Sequence, residues 1–165
     1  MKALVIYDSV FGNTEQIAQV VGNALGSRED VNILRVSDVR TDQLVGLEVL
    51  ILGSPTQRFR PTPVMSSWMN GIPQNSLKGV KVAAFDTRFT MDEINKTPVL
   101  AFFVRISGDS AYAAKHISDR LKKKGGLLIV PPEGFFVEGM KGPMLQGELE
   151  RARDWAKRIN TEIQQ

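Results

Sequence analysis

The stretch from Lys2 to Leu25, KALVIYDSVFGNTEQIAQVVGNAL, constrains the fold more than any other. It opens on Ala3–Tyr7, a short apolar run rich in β-branched residues, the composition of a strand buried on both faces. It closes on apolar residues at helical spacing, Ile17, Val20, Val21, Ala24 and Leu25, which predict a helix from Thr14 or Glu15 to Leu25. Between the two lies Ser9-Val10-Phe11-Gly12-Asn13-Thr14, which gathers hydroxyls and an amide around one glycine, with no lysine or arginine.

Two readings fit that turn. The first backbone N–H groups of a helix have no partner inside it, and the macrodipole makes that end partly positive. A phosphate seated there can take N–H bonds from about Val10 to Thr14 and hydroxyl bonds from Ser9 and Thr14. Gly12 would let the backbone approach closely and take an unusual dihedral. In the other reading this is an ordinary strand-to-helix turn with Asn13 or Thr14 as N-cap.

The remaining chain supplies a sheet for the first strand to join. Val31–Val36 alternates apolar and polar residues, as a strand near a sheet edge does, and a polar connection with a short helical turn follows over Ser37–Leu44. Val45–Gly53 and Val80–Phe85 read as buried strands. Ser54–Thr62 reads as a loop, and Pro63–Met69 as a helix with proline at its first position. Asp86–Gly108 is a long mixed connection whose apolar middle, Val99–Ile106, fits either a short helix or an added strand. Asp109 or Ser110 is expected to cap a helix to Lys124, stopped by Gly125-Gly126. Leu127–Val130 is the fifth strand, broken by Pro131-Pro132 and resumed at Phe135-Phe136-Val137 as an edge; the final helix runs over Leu145–Ile163 with Trp155 inward.

Strands alternating with helices predict one open α/β sheet with helices on both faces. Loops leaving the strand C-termini then gather on one rim, where ligands bind. Three such loops carry chemistry: Ser9–Thr14, Ser54–Thr62, and Asp86–Phe89 with its extension to Gly108.

Composition narrows the function classes. A length of 165 residues suits a single domain, 1–165, and 42% hydrophobic with 24% charged residues is ordinary for a soluble globular chain. No apolar run is long enough to span a membrane, so no membrane insertion is expected. With the first strand beginning at Lys2, no signal peptide is expected and the expected location is cytoplasmic. The absence of cysteine excludes disulfides, thiolate nucleophiles and thiolate-bound metal. His116 is the only histidine, which argues against a His-based metal site or a Ser-His-Asp triad. The net charge of +3 is mild, and Lys122-Lys123-Lys124 reads as a solvated helix end, so no nucleic-acid partner is expected. The first turn lacks the lysine of a P-loop and the G-x-G-x-x-G of a dinucleotide-binding domain. A low-molecular-weight phosphatase needs a cysteine, and a response-regulator receiver needs an acidic cluster where Asp8 stands alone.

At its three rim loops the sequence resembles the flavodoxin family. S-V-F-G-N-T follows the family's phosphate signature S/T-x-T/F-G-x-T, joined by G-S-P-T at Gly53–Thr56 and D-T-R at Asp86–Arg88, each directly after a strand. The resemblance covers nearly the whole chain. It implies a flavodoxin-like three-layer α/β/α sandwich of the short-chain type, with a five-stranded parallel sheet of order 2-1-3-4-5 and FMN as cofactor. Ser9, Val10, Phe11, Gly12, Asn13 and Thr14 would hold the FMN phosphate. Pro55, Thr56, Gln57 and Phe59 would lie along one side of the isoalloxazine ring, with Asp86, Thr87, Arg88 and Phe89 along the other side and the pyrimidine edge.

The implied function is an electron carrier between a donor reductase and an acceptor. The alternative from another class is an FMN-dependent NAD(P)H:quinone oxidoreductase. Two departures stand out. Where many members stack Tyr or Trp on the ring, this chain offers Phe59 and Phe89 for stacking or for covering a loop base. Typical members are acidic, whereas this chain is basic and puts Arg58, Arg60 and Arg88 on the ring loops, where they either raise the flavin potential or point to solvent or hold loop carboxylates.

Overall fold

The structure, a computed structural model, describes every residue from Met1 to Gln165. Strands β1 (Ala3–Tyr7), β2 (Val31–Arg35), β3 (Val49–Pro55), β4 (Lys81–Phe89), β5 (Leu127–Leu128) and β6 (Glu133–Val137) form one parallel sheet. The order is β2-β1-β3-β4, with β5 and β6 in tandem along the remaining edge of β4. This is the expected 2-1-3-4-5 order with its fifth strand in two pieces. Val82 faces Leu128 and Phe85 faces Glu133, so three steps along β4 answer to five on the edge. Pro131 and Pro132 occupy the extra length, where neither can donate to the ladder.

Of six helices, α1 (Asn13–Leu25), α2 (Pro63–Gly71), α5 (Ala113–Lys123) and α6 (Glu148–Gln164) cover the sheet, whereas α3 (Met91–Asn95) and α4 (Pro98–Ser107) form a small cluster of their own at its rim. The two-residue period of the strands sorts the core into halves. Ala3, Val5 and Tyr7 of β1 pack with α1 and α6, whereas Leu4 and Ile6 pack with α2 and α5. The first half centres on Trp155, whose ring meets Phe85 and Phe135 edge-on at centroid distances of 5.9 and 6.1 Å. Each such fully buried side chain stabilises the fold by about 1.5–3 kcal/mol. Trp68 is half-buried against the second half. Arg151 on α6 fastens the edge strand by binding the Glu133 carboxylate at 2.8 Å and the Gly134 carbonyl.

Several boundaries differ from expectation, each for a local reason. β3 starts at Val49, because Gly46 turns the chain with a φ of 70°, and it runs on to Pro55, which pairs with Thr87. The 90–108 connection is helical: Thr90 accepts the Glu93 amide at 3.2 Å to cap α3, and Pro98 starts α4. α5 begins at Ala113, after a 3₁₀ turn over Gly108–Ala111, and neither Asp109 nor Ser110 caps it. Its first amides go instead to side chains from other elements, Ala113 to Thr56 Oγ1 at 2.9 Å and Ala114 to the Asp86 carboxylate at 2.8 Å. Gly125 and Gly126 close α5 as expected, their amides bonding back to Lys122 and Leu121. No helix is long and apolar enough to cross a membrane.

Candidate functional site

The C-terminal ends of β1, β3 and β4 open into a cavity of about 730 Å³. A second hollow beside α2, lined by Trp68 and Pro73, is as large at about 740 Å³, so volume does not choose between them. Free hydrogen-bonding groups do.

The wall of the first cavity contains the turn from β1 into α1. Gly12, at φ 91°, is the N-cap residue and offers no side chain; Asn13 and Thr14 lie inside the helix. The ordinary capping arrangement, with Asn13 or Thr14 at the N-cap, is therefore not what this turn adopts. The Gly12 amide donates to Ser9 Oγ at 3.1 Å and the Ser9 amide to Asp8 at 3.0 Å. The amides of Val10, Phe11, Asn13, Thr14 and Glu15 donate to no acceptor in the protein. Five open donors at the positive end of a thirteen-residue helix make a seat for an anion.

Neighbouring side chains hold this turn in place rather than filling it. Asp8 accepts from Thr62 Oγ1 and Arg35, and Arg35 also donates to the Ser9 carbonyl at 2.9 Å. The Asn13 amide group donates to the Lys141 carbonyl at 3.1 Å, and a Cβ at Gly142 would come within 2.5 Å of Asn13 Oδ1. The segment after β6 thus lies tight against the turn. Buried Thr14 and Thr87 share a hydroxyl–hydroxyl bond of 2.8 Å that ties the β1 loop to β4. The Asn13 side chain thus serves the loop, and the Thr14 hydroxyl has a proton for a ligand when Thr87 is the donor in their shared bond.

Of the residues expected at the site, Ser9, Val10, Phe11, Asn13, Thr14, Pro55, Thr56, Gln57, Thr87, Arg88 and Phe89 line the cavity together. Gly12, Phe59 and Asp86 do not line it. Asp86 has no exposed surface; it sits behind the wall in a two-pronged bond to Arg88 at 2.7 and 2.8 Å while capping α5. Burial pushes its carboxyl above the ordinary range, against the pull of Arg88 and the Ala114 amide. Arg88 in turn lies 3.7 Å over the Tyr112 ring, whose hydroxyl is pushed up by burial. Phe59 turns toward α4 and meets Phe103 at 6.1 Å, so of the two stacking candidates only Phe89 is on the cavity wall, which Phe11 of the first loop also lines.

Arg58 and Arg60 do line the cavity, as their position on the loop suggested, and neither enters an ion pair. They flank Phe59 in a tight turn in which the Gln57 and Arg60 backbones exchange bonds of 2.8 and 3.0 Å, with Arg58 and Phe59 both at positive φ, 48° and 68°. Sequence reasoning missed Pro61, Pro63, Ser66, Val137 and Met140 on the wall. The signal for the last two was the Gly139-Met140-Lys141-Gly142-Pro143 stretch, whose turn residues send the chain back across the rim.

No family model matches the chain. It is 27% identical over 138 residues to a flavodoxin of Maridesulfovibrio salexigens, a match covering 78% of this chain and 81% of that one. It is 42% identical over 50 residues to a flavodoxin of Clostridium beijerinckii, a match that spans 30% of this chain and only 36% of that protein's length. The solved structure of a flavodoxin from the domain Archaea superposes over 100% of both chains with a TM-score of 0.76 at 23% identity. The chain therefore has the flavodoxin-like fold and is flavodoxin-like in sequence.

Proposed function

We propose that this flavodoxin-like chain binds FMN in the β1–β3–β4 cavity and carries electrons between a donor reductase and an acceptor protein. The observation that supports this reading is the set of five amides, Val10, Phe11, Asn13, Thr14 and Glu15, without acceptors in the protein. A phosphate fits their number and sign without any cationic side chain on the turn. FMN, when bound, supplies reversible uptake of one or two electrons at its ring system.

The residues divide the work. The turn would hold the phosphate, while Ser9 keeps its hydroxyl proton free to donate, since its oxygen accepts from Gly12. Pro55, Thr56 and Gln57 would wall one side of the ring, and Thr87, Arg88 and Phe89 the other. Asp86 and Tyr112 would fix Arg88 from behind and keep that wall rigid. Arg58 and Arg60 would add positive potential at the mouth.

Purified protein should be yellow, release FMN on denaturation, and bind added FMN far more tightly than riboflavin, which lacks the phosphate. Colourless protein that ignores FMN in a calorimeter refutes the reading. Oxidation of NAD(P)H with a quinone by the isolated protein would replace the carrier by the quinone reductase.

A further inference from the structure

α4 is apolar on opposite sides. Leu100, Ala101 and Val104 pack inward on Ile94, Ala111, Phe59 and Phe89. The other side presents Val99, Phe102, Phe103 and Ile106, which are 66%, 57%, 50% and 68% exposed. A helix hydrophobic all round belongs in an interior, so one of its two faces lacks its cover.

This face is continuous with the cavity mouth. Phe103 touches Phe59 at 6.1 Å, and Phe59 sits between Arg58 and Arg60, which line the cavity. Two arginines without ion pairs, Arg58 and Arg60, flank Phe59 at this junction. Arginine ion pairs in this molecule belong to Arg35, Arg40, Arg88, Arg151, Arg153 and Arg158; of the five arginines outside them, Arg58 and Arg60 lie at the mouth and Arg105 on α4, with Arg28 and Arg120 elsewhere. Of the acidic residues nearby, Glu93 is paired with Lys96, Asp109 lines a separate small cavity with Arg88, and Asp92 on α3 enters no ion pair.

We propose that the exposed face of α4, together with Arg58, Arg60 and Arg105, docks an acidic redox protein over the cavity mouth. This rests on the carrier reading for the partner's being a redox protein, and on charge and apolar exposure for where and how it binds. An apolar centre with a charged rim is the anatomy of a protein interface. The segment from Thr90 to Tyr112 carries Asp92, Glu93 and Asp109 against Lys96 and Arg105, so it lacks the Lys/Arg-rich polar face of a membrane-surface helix; the positive charge is concentrated beside it, in Arg58 and Arg60 at the mouth, as a localised protein contact uses it. Docking here would bring the partner's redox centre to the mouth that Arg58 and Arg60 line. The basic rim would speed encounter with an acidic surface and repel a basic one.

The test uses two haem proteins of opposite surface charge, acidic cytochrome b5 and basic cytochrome c, titrated into the isotope-labelled full chain and followed by amide NMR shifts. Cytochrome b5 should shift signals of residues 58–60 and 99–106, with an affinity that falls by about tenfold or more between low and high salt. Phe102→Ser with Ile106→Ser, and separately Arg105→Glu, should each weaken that binding several-fold while leaving flavin uptake and the fold intact. Cytochrome c should bind more weakly than cytochrome b5 at low salt.

No binding of cytochrome b5, salt-independent binding, or shifts confined elsewhere would overturn the proposal. So would sedimentation with phosphatidylcholine–phosphatidylserine vesicles, or a dimer in the ultracentrifuge, that the Phe102→Ser and Ile106→Ser substitutions abolish. These titrations do not need flavin. Failure to take up FMN would sink the cofactor reading alone, whereas FMN uptake without the cytochrome b5 response sinks the docking surface alone.

Discussion

Replacing Gly12 separates the roles of backbone and ligand in the anion seat. Gly12 sits at φ 91°, and a Cβ built there meets nothing within 4 Å. Crowding by the protein therefore contributes nothing, and in the free protein the effect of Gly12→Ala is conformational. If the left-handed dihedral is kept, the free protein loses about 1–2 kcal/mol of stability. If φ relaxes to a negative value, the Gly12–Asn13 peptide swings and the Asn13 amide leaves the ligand. A hydrogen bond to a charged group is worth about 1.5–3 kcal/mol. Its loss weakens binding by about tenfold to more than a hundredfold. Gly12→Val, β-branched, should do more than Gly12→Ala on both counts, and Gly12→Asn less, because asparagine tolerates the left-handed region. The assay is fluorescence titration of apoprotein with FMN and, in parallel, riboflavin, with urea melts of the same samples. FMN binding should weaken at least tenfold along Asn, Ala, Val while riboflavin binding barely moves. Equal losses for both ligands would mean that this turn does not hold the phosphate. Unchanged FMN affinity in Gly12→Val would remove the turn from the site altogether.

Three other perturbations probe the walls. Thr14→Val removes one half of the buried 2.8 Å hydroxyl pair and strands Thr87, so it should cost about 1–3 kcal/mol in urea melts. Asp86→Ala leaves the Arg88 guanidinium unpaired and the Ala114 amide without its acceptor, and should destabilise by about 3–5 kcal/mol. Burial holds the folded Asp86 pKa above its ordinary value, so the folded chain binds that proton more tightly than the unfolded one. The associated stability is complete below the ordinary carboxylate pKa and is lost as pH rises through the folded value. The stability of the natural chain relative to Asp86→Asn should thus fall with rising pH over that window, and a difference that rises with pH would overturn the assignment. Arg58→Gln with Arg60→Gln removes the two free cations at the mouth and should lower the potential of bound FMN for its second electron, read by redox titration; no change would mean that both side chains point into solvent.

What was legible in the sequence tracks how local its cause is. β1, β4 and the α1 periodicity came through because both-face burial and a helical stripe are written in a few consecutive residues. Alternating elements and right-handed crossovers gave an open sheet with helices on both faces, whereas its strand order came only from the resemblance at the three rim loops. Pro131 and Pro132 marked the break in the edge strand correctly, since a missing amide is a property of the residue itself. The start of α5 was not legible, because Thr56 and Asp86, far away in sequence, took the capping role that Asp109 and Ser110 could have filled. The same non-local bonding turned Asp86 from a rim residue into a buried support. Val99–Ile106 could not be assigned to helix or strand because it is apolar without a clean period, and it is so because α4 carries apolar residues on two opposite sides.

The Gln57–Arg60 turn joins these two unusual features of the molecule. Its two central residues need positive φ, a geometry that glycine or asparagine adopts most easily. Here they are Arg58 and Phe59, and holding non-glycine residues so costs about 1–3 kcal/mol each. That cost is offset when each side chain is used: Arg58 reaches the cavity wall, and Phe59 anchors α4 through Phe103. A glycine at either position would relax the backbone and cut one of the two links. The turn thus holds the cavity mouth and the exposed helix face in a fixed relation, as a carrier that must present its cofactor edge and its docking surface to one partner at once would require.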